Sequence, residues 1–340
     1  MGVIAIIYSY TGGLKSVLWT DFIQGSVLLV GVTFALFYLA NGINGGFGAI
    51  FQTMGEGKFL AADQPIFNPN ILKDSVFLLI VGAGLNTCSS YVSSQDIVQR
   101  FTTTTDMKKL NKMMLTNGAL SIFIATVFYL IGTGLYVFYS QNALPPAAQQ
   151  DQIFASYIAY QLPVGITGLL LAAIYAASQS TLSTGLNSVA TSWTLDIQER
   201  LSRKKMSFAL QTRIAQYVSL GVGVVAILVS MVLANGEIKS AYEWFNGFMG
   251  LVLGVLGGTF ALGTFTKVAN AKGAYVAFFV AAVTMVCIKY MTPAGSVSIW
   301  SYSIISIAIS LVVGIPVSMI TRKLDGDTSK PVKDATIYHN

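Results

Sequence analysis

An all-α membrane protein is the fold class this sequence predicts, and three observations carry the prediction. Of 340 residues, 54% are hydrophobic and 10% charged, and the mean hydropathy is +0.65, whereas water-soluble chains carry about a quarter charged residues. Stretches near or above the roughly 20 apolar residues that a membrane helix needs recur along the whole chain. Lys and Arg fall mostly in the short gaps between those stretches and form no basic domain. The net charge of +6 therefore reports topology, with a lipid bilayer as the partner and no nucleic acid. The 20 Phe, 16 Tyr and 4 Trp exclude a disordered chain.

Residues 2 to 11 are too few to cross a bilayer and follow Met1 with no basic stretch that would make them a signal peptide, so they are expected to be the second half of a cut helix. Eight full spans follow, at about 21 to 43, 75 to 101, 113 to 139, 165 to 195, 211 to 234, 244 to 266, 273 to 291 and 298 to 321. Alternate crossing puts 16 of the 20 Lys and Arg on one side and 4 (Lys58, Lys73, Lys239 and Lys289) on the other. The first side is expected to be cytoplasmic, with the C-terminus inside. Trp19, Trp193, Trp244 and Trp300 fall near span ends, as an aromatic belt requires. The outer gap of about 44 to 74 is either a vestibule cover or a plain solvated loop. The chain thus divides into one transmembrane domain over 1–322 and a cytoplasmic tail over 323–340. Cys88 and Cys287 each lie inside a span and His339 lies in the tail, so no disulfide framework, cysteine metal site or imidazole chemistry is indicated. No Gly-x-x-x-x-Gly-Lys-Ser/Thr loop supports ATP hydrolysis.

The most informative run of oxygen-bearing side chains is Ser178 to Ser188, within the span that ends near Leu195. At 3.6 residues per turn, Ala177, Ser180, Thr181, Thr184 and Ser188 share one stripe, flanked by Ser183 and Asn187. Single hydroxyls in membrane helices usually bond back to their own helix. A cluster with freed carbonyls can instead supply the several oxygens that a hard monovalent cation such as sodium takes. Asp21 is either an interfacial carboxylate in water or a charge that helps hold such a cation against the stripe. From Gly82 to Arg100, Gly and polar residues accumulate as in an irregular or cavity-lining helix. Within it Asp96 and Arg100, four apart, are expected to pair near the inner mouth. Gly250, Gly254 and Gly258 repeat every fourth residue and allow another helix to approach closely. Glu243 and Asn246 stand at the outer end of that span, facing solute or water.

Three motifs make the chain resemble the sodium:solute symporter family: Gly12-Gly13-Leu14-Lys15 running into Trp19-Thr20-Asp21-Phe22-Ile23-Gln24, then Gln95-Asp96-Ile97-Val98-Gln99-Arg100, then Ser180 to Ser188. With the Gly-rich span near 250, the likeness covers nearly the whole chain. The resemblance implies inverted five-helix repeats like those of the bacterial leucine transporter, present here only in part because the first helices of the first repeat, including its broken helix, are missing. It implies a shared sodium site on the Ala177 carbonyl and the Ser180 and Thr181 hydroxyls, and a further one, found in some members, on Asp21, Ser183 and Thr184 with Ser180 between. Thr87 and Ser90 fall where sugar-transporting members have a solute-contacting Asn and a gating Tyr, which argues against a galactose-like solute. Asn246 aligns loosely with a solute-contacting amide.

The expected function is sodium-coupled symport of a small organic solute across the plasma membrane by a multi-pass protein that is not an enzyme. The alternatives are a solute-sensing or regulatory membrane module, against which the short tail counts, and an inactive fragment of a symporter.

Overall fold

A computed structural model describes residues 2–58, 65–70, 72–143, 152–202, 206–234, 241–293 and 296–324. The side chains of Gly12-Gly13-Leu14-Lys15 and Glu243, and the tail beyond Leu324 with His339, lie outside the described residues. Among the described residues there is no strand, and 8 helices are long and apolar enough to cross a membrane. The protein is a multi-pass, all-α membrane protein.

In chain order the helices are α1 (Gly2–Asn41), α2 (Gly46–Thr53), α3 (Val76–Ser93), α4 (Gln95–Phe101), α5 (Met107–Gln141), α6 (Ile153–Tyr160), α7 (Val164–Thr191), α8 (Glu199–Ser202), α9 (Phe208–Ala234), α10 (Ala241–Phe265), α11 (Ala271–Met291) and α12 (Ser301–Leu324). Two differences from the sequence reading concern continuity. The separate cut helix at 2 to 11 is not found: α1 runs unbroken through 40 residues, and its crossing part is Val17–Asn41. No proline interrupts it, and Gly12 and Gly13 each cost a helix only about 1 kcal/mol relative to Ala, too little to force a turn. Conversely, the span at 75 to 101 divides, because Ser94 adopts an extended backbone (φ −78°, ψ 121°) that ends α3 before α4 restarts. The gap at 44 to 74 contains α2 and a π-helical segment, Met54–Lys58, so it is not a plain loop, although residues 59–64 and 71 lie outside the description.

Helix starts at polar ends are capped as the sequence chemistry dictates. Ser75 Oγ accepts from the Leu78 amide at 3.1 Å, Asp106 Oδ1 from Lys108 at 2.9 Å and Asn270 Oδ1 from Gly273 at 2.8 Å.

The chain packs as two compact units, one of residues 1–59 and 99–239, the other of 60–98 and 240–340. In the first, Leu36, Leu39, Ile50, Ile131, Phe138 and Leu170 form a core among α1, α2, α5 and α7. Gly134 lets α5 close on α1, since a Cβ there would lie 2.8 Å from Leu39 Cδ2. Tyr157 of α6 is buried with its ring edge-on to Phe138 at 5.2 Å. Burial first, then the neighbouring Tyr38 and Tyr139, pushes its hydroxyl pKa up. In the second unit α10 packs on α12 through the Gly250, Gly254 and Gly258 row: a Cβ on Gly254 would stand 3.0 Å from both Ser303 Cα and Ser306 Oγ. The close approach expected of that row is met. Side chains such as Val164 (90% exposed) and Phe208 (84%) would promote aggregation in water, whereas in lipid they face their proper solvent.

Candidate functional site: a carboxylate shared by three helices

Most hydroxyls on α7 return to their own backbone. Thr181 Oγ1 donates to the Ala177 carbonyl at 3.1 Å, Ser183 Oγ to the Ser180 carbonyl at 3.0 Å and Ser188 Oγ to the Thr184 carbonyl at 2.9 Å. Two do not. Ser180 Oγ donates to Asp21 Oδ1 at 2.5 Å and Thr184 Oγ1 to Asp21 Oδ2 at 3.2 Å, across 159 and 163 residues of sequence. Positions 180 and 184 are one turn apart, so both hydroxyls leave α7 on the side that meets α1.

The structure corrects the expected pairing of Asp96 with Arg100. Arg100 Nη2 reaches Asp21 Oδ2 at 2.7 Å and also donates to Thr184 Oγ1 at 3.0 Å. Residue 100 arrives there because the preceding residue is held from two directions. Gln99 Nε2 donates to Thr191 Oγ1 at 2.7 Å, and Asn187 Nδ2 donates to Gln99 Oε1 at 3.1 Å. An i,i+4 pair on a solvated helix end stabilises by only about 0.2–0.5 kcal/mol. A more enclosed carboxylate with its own hydroxyl donors is the better partner: Asp21 is 15% exposed, against 39% for Arg100.

Of the residues the family resemblance singles out for sodium, Asp21, Ser180 and Thr184 are thus brought together. Ala177 and Thr181 meet each other through their own hydrogen bond, and Ser183 is fully buried one position before Thr184. One further oxygen escaped the sequence reading. Gln24, one turn beyond Asp21 on α1, has a buried Oε1 with no hydrogen-bond partner among the described residues. The set that the structure brings together, one carboxylate with two hydroxyl oxygens and no soft ligand, fits a hard cation.

Thr87, Ser90 and Asn246 belong to the other unit. Thr87 is exposed on α3, Ser90 shares a hydrogen bond with Ser94 at 3.3 Å, and Asn246 is half-buried on α10. The α3 amide that faces α12 is Asn86, whose Oδ1 accepts from Ser303 Oγ at 3.4 Å.

Comparison with known proteins agrees with this architecture. The sodium/sialic acid symporter NanT of Aliivibrio fischeri is 30% identical over 331 residues, a match covering 96% of this chain and 64% of that protein. The sodium/sialic acid symporter SiaT of Proteus mirabilis is 32% identical over 293 residues, covering 85% of this chain and 59% of its own length. A solved structure of a Na+-coupled sialic acid symporter, substrate-bound and outward-open and revealing a novel Na+-site, superposes with a TM-score of 0.84 at 29% identity over 94% of this chain and 65% of that one. These relatives are transporters, not enzymes. The model of the sodium:solute symporter family matches residues 1–281, and with its helices, its hydroxyl-rich α7 and its membrane carboxylate the chain belongs to that family.

Proposed function

We propose that the protein carries out sodium-coupled symport of a small organic solute, with sodium held by Asp21, Ser180 and Thr184. The observation that supports this most is the Asp21 carboxylate, which lies within a membrane-spanning helix and accepts two hydroxyls from a second helix. Ser183 and the Ala177 to Thr181 turn supply further oxygens close by on α7, including those of the shared family site. Sodium entering down its gradient favours the outward-open form, the solute binds, and a conformational exchange releases both inside. Thr87, Ser90 and Asn246 are proposed solute contacts. The sialic acid carried by the relatives is the first solute to test. In this reading residues 1–322 act as one transport domain and 323–340 as a tail. Similarity to symporters disfavours the solute-sensing alternative.

In proteoliposomes holding the full-length protein, replacing external sodium by choline is expected to lower solute uptake about tenfold or more. A panel of acidic sugars, monocarboxylates and vitamins identifies the solute, and uptake indifferent to sodium overturns the proposal. The bias of basic residues supports a plasma-membrane protein with a cytoplasmic C-terminus. A green fluorescent protein fused after Asn340 should therefore fluoresce in intact bacteria. A dark fusion alongside an active periplasmic reporter at the same position reverses the orientation.

A further inference from the structure

Sodium is not the only cation the Asp21 site can hold, because the protein carries one of its own. A single Arg100 nitrogen, Nη2, lies 2.7 Å from Asp21 Oδ2 and 3.0 Å from Thr184 Oγ1, and those two oxygens are themselves 3.2 Å apart. The three atoms form a triangle in which a nitrogen bearing positive charge bridges the same carboxylate and hydroxyl that a sodium ion would bridge. A guanidinium offers donors in a fixed planar fork and no acceptor.

We infer that Arg100 is a tethered counter-cation that competes with sodium for Asp21 and Thr184 and so sets the sodium affinity of the site. The inference rests on the reading of Asp21 as a sodium ligand.

Charge and coordination both support it. Asp21 and Arg100 together are neutral, and among the described residues Arg100 is the cation that pairs with the carboxylate. Adding sodium while the guanidinium stays would leave one carboxylate serving two cations in a half-enclosed site, where like charges repel more strongly than in water. Both carboxylate oxygens are already engaged, Oδ1 by Ser180 and Oδ2 by Thr184 and Arg100. Sodium can reorient a hydroxyl to gain its oxygen lone pair. It cannot reorient a guanidinium, which has no acceptor, so Arg100 must leave. Departure is feasible because Arg100 is 39% exposed and water can receive its charge. Return is guided because Gln99 stays fastened to Thr191 and Asn187 and keeps the arm within reach. The site therefore always has a cation, and sodium binds by exchange.

The test is equilibrium binding of radioactive sodium to the purified full-length protein without solute, which reads the site apart from transport. Arg100→Gln is expected to lower the sodium concentration for half-saturation about three- to tenfold. Arg100→Lys keeps the charge but loses the planar fork, and should fall between the two. Free guanidinium ion should displace sodium more effectively from Arg100→Gln than from the wild type, since the tethered group no longer pre-empts the place. If Arg100 merely props Asp21 in position, Arg100→Gln binds sodium more weakly and guanidinium does not discriminate, which overturns the inference. Equal half-saturation in the wild type and both variants overturns it too. Should Arg100→Gln fail to give a monodisperse preparation, Arg100→Lys and guanidinium competition against the wild type decide. A wild-type protein that binds no sodium would instead sink the underlying reading of the site.

Discussion

Asp21→Asn is expected to abolish sodium coupling while leaving the helices assembled. Asparagine has nearly the volume of aspartate and keeps one acceptor oxygen, so Ser180 can still donate to it. What is lost is the charge, together with one of the two oxygens that Ser180, Thr184 and Arg100 share. A cation leaving water for a half-enclosed site depends on that charge, and a loss of even 1.4 kcal/mol is tenfold in affinity. Half-saturation by sodium should therefore rise at least about tenfold, with uptake driven by a sodium gradient falling to background. The variant also strands Arg100, and because that side chain is 39% exposed the stability cost is that of a screened pair, on the order of 1 kcal/mol or less. The double variant Asp21→Asn/Arg100→Gln separates the two effects. If the stranded guanidinium caused the defect, the double variant recovers sodium binding. If the carboxylate is the ligand, it stays defective. Recovery would remove Asp21 from the sodium site.

That experiment depends on a contact the sequence did not disclose, and the reason is physical. Eight spans were legible because each is a long apolar run between short polar gaps, a signal local in sequence. The oxygen-rich face of α7 was legible for the same reason, since helical periodicity alone aligns Ser180 with Thr184. Which hydroxyls leave the helix was not legible in the periodicity, although the family resemblance set Ser180 and Thr184 with Asp21. Thr181 and Ser188 sit on the same stripe and bond to their own carbonyls, and only the position of α1 selects Ser180 and Thr184. For Arg100 the local signal misled: Asp96 stands four residues away, whereas the carboxylate it joins is 79 residues distant. Local rules also miss the joining of 2 to 11 with 21 to 43 into α1, because a Gly pair permits a break without requiring one.

The packing of the second unit was legible in its glycine spacing, and it yields the other large expected effect. Gly258→Leu should prevent α10 from seating on α12. A Cβ at residue 258 would lie 2.5 Å from Ser310 Oγ and 3.0 Å from Ile307 Cα, and the second of these is backbone that no rotamer change can move. Lipid is as apolar as the buried faces, so close fit between helices supplies much of the association that hydrophobic burial supplies in water. Forcing leucine into such a contact costs about 1–3 kcal/mol or more. In a protein of this size that corresponds to roughly 1–4 °C in Tm, or loss of the monodisperse peak on gel filtration. Gly263, on the same helix, is the control. A Cβ there meets nothing within 4 Å, so Gly263→Leu places an apolar side chain in open space and relieves the helix of a glycine. It should leave Tm unchanged or raise it slightly. The same substitution five residues apart on one helix then has opposite consequences, because only at residue 258 does the missing side chain make room for another helix. Equal losses at both positions would mean that leucine disturbs α10 itself, and the close contact with α12 would no longer account for the glycine row.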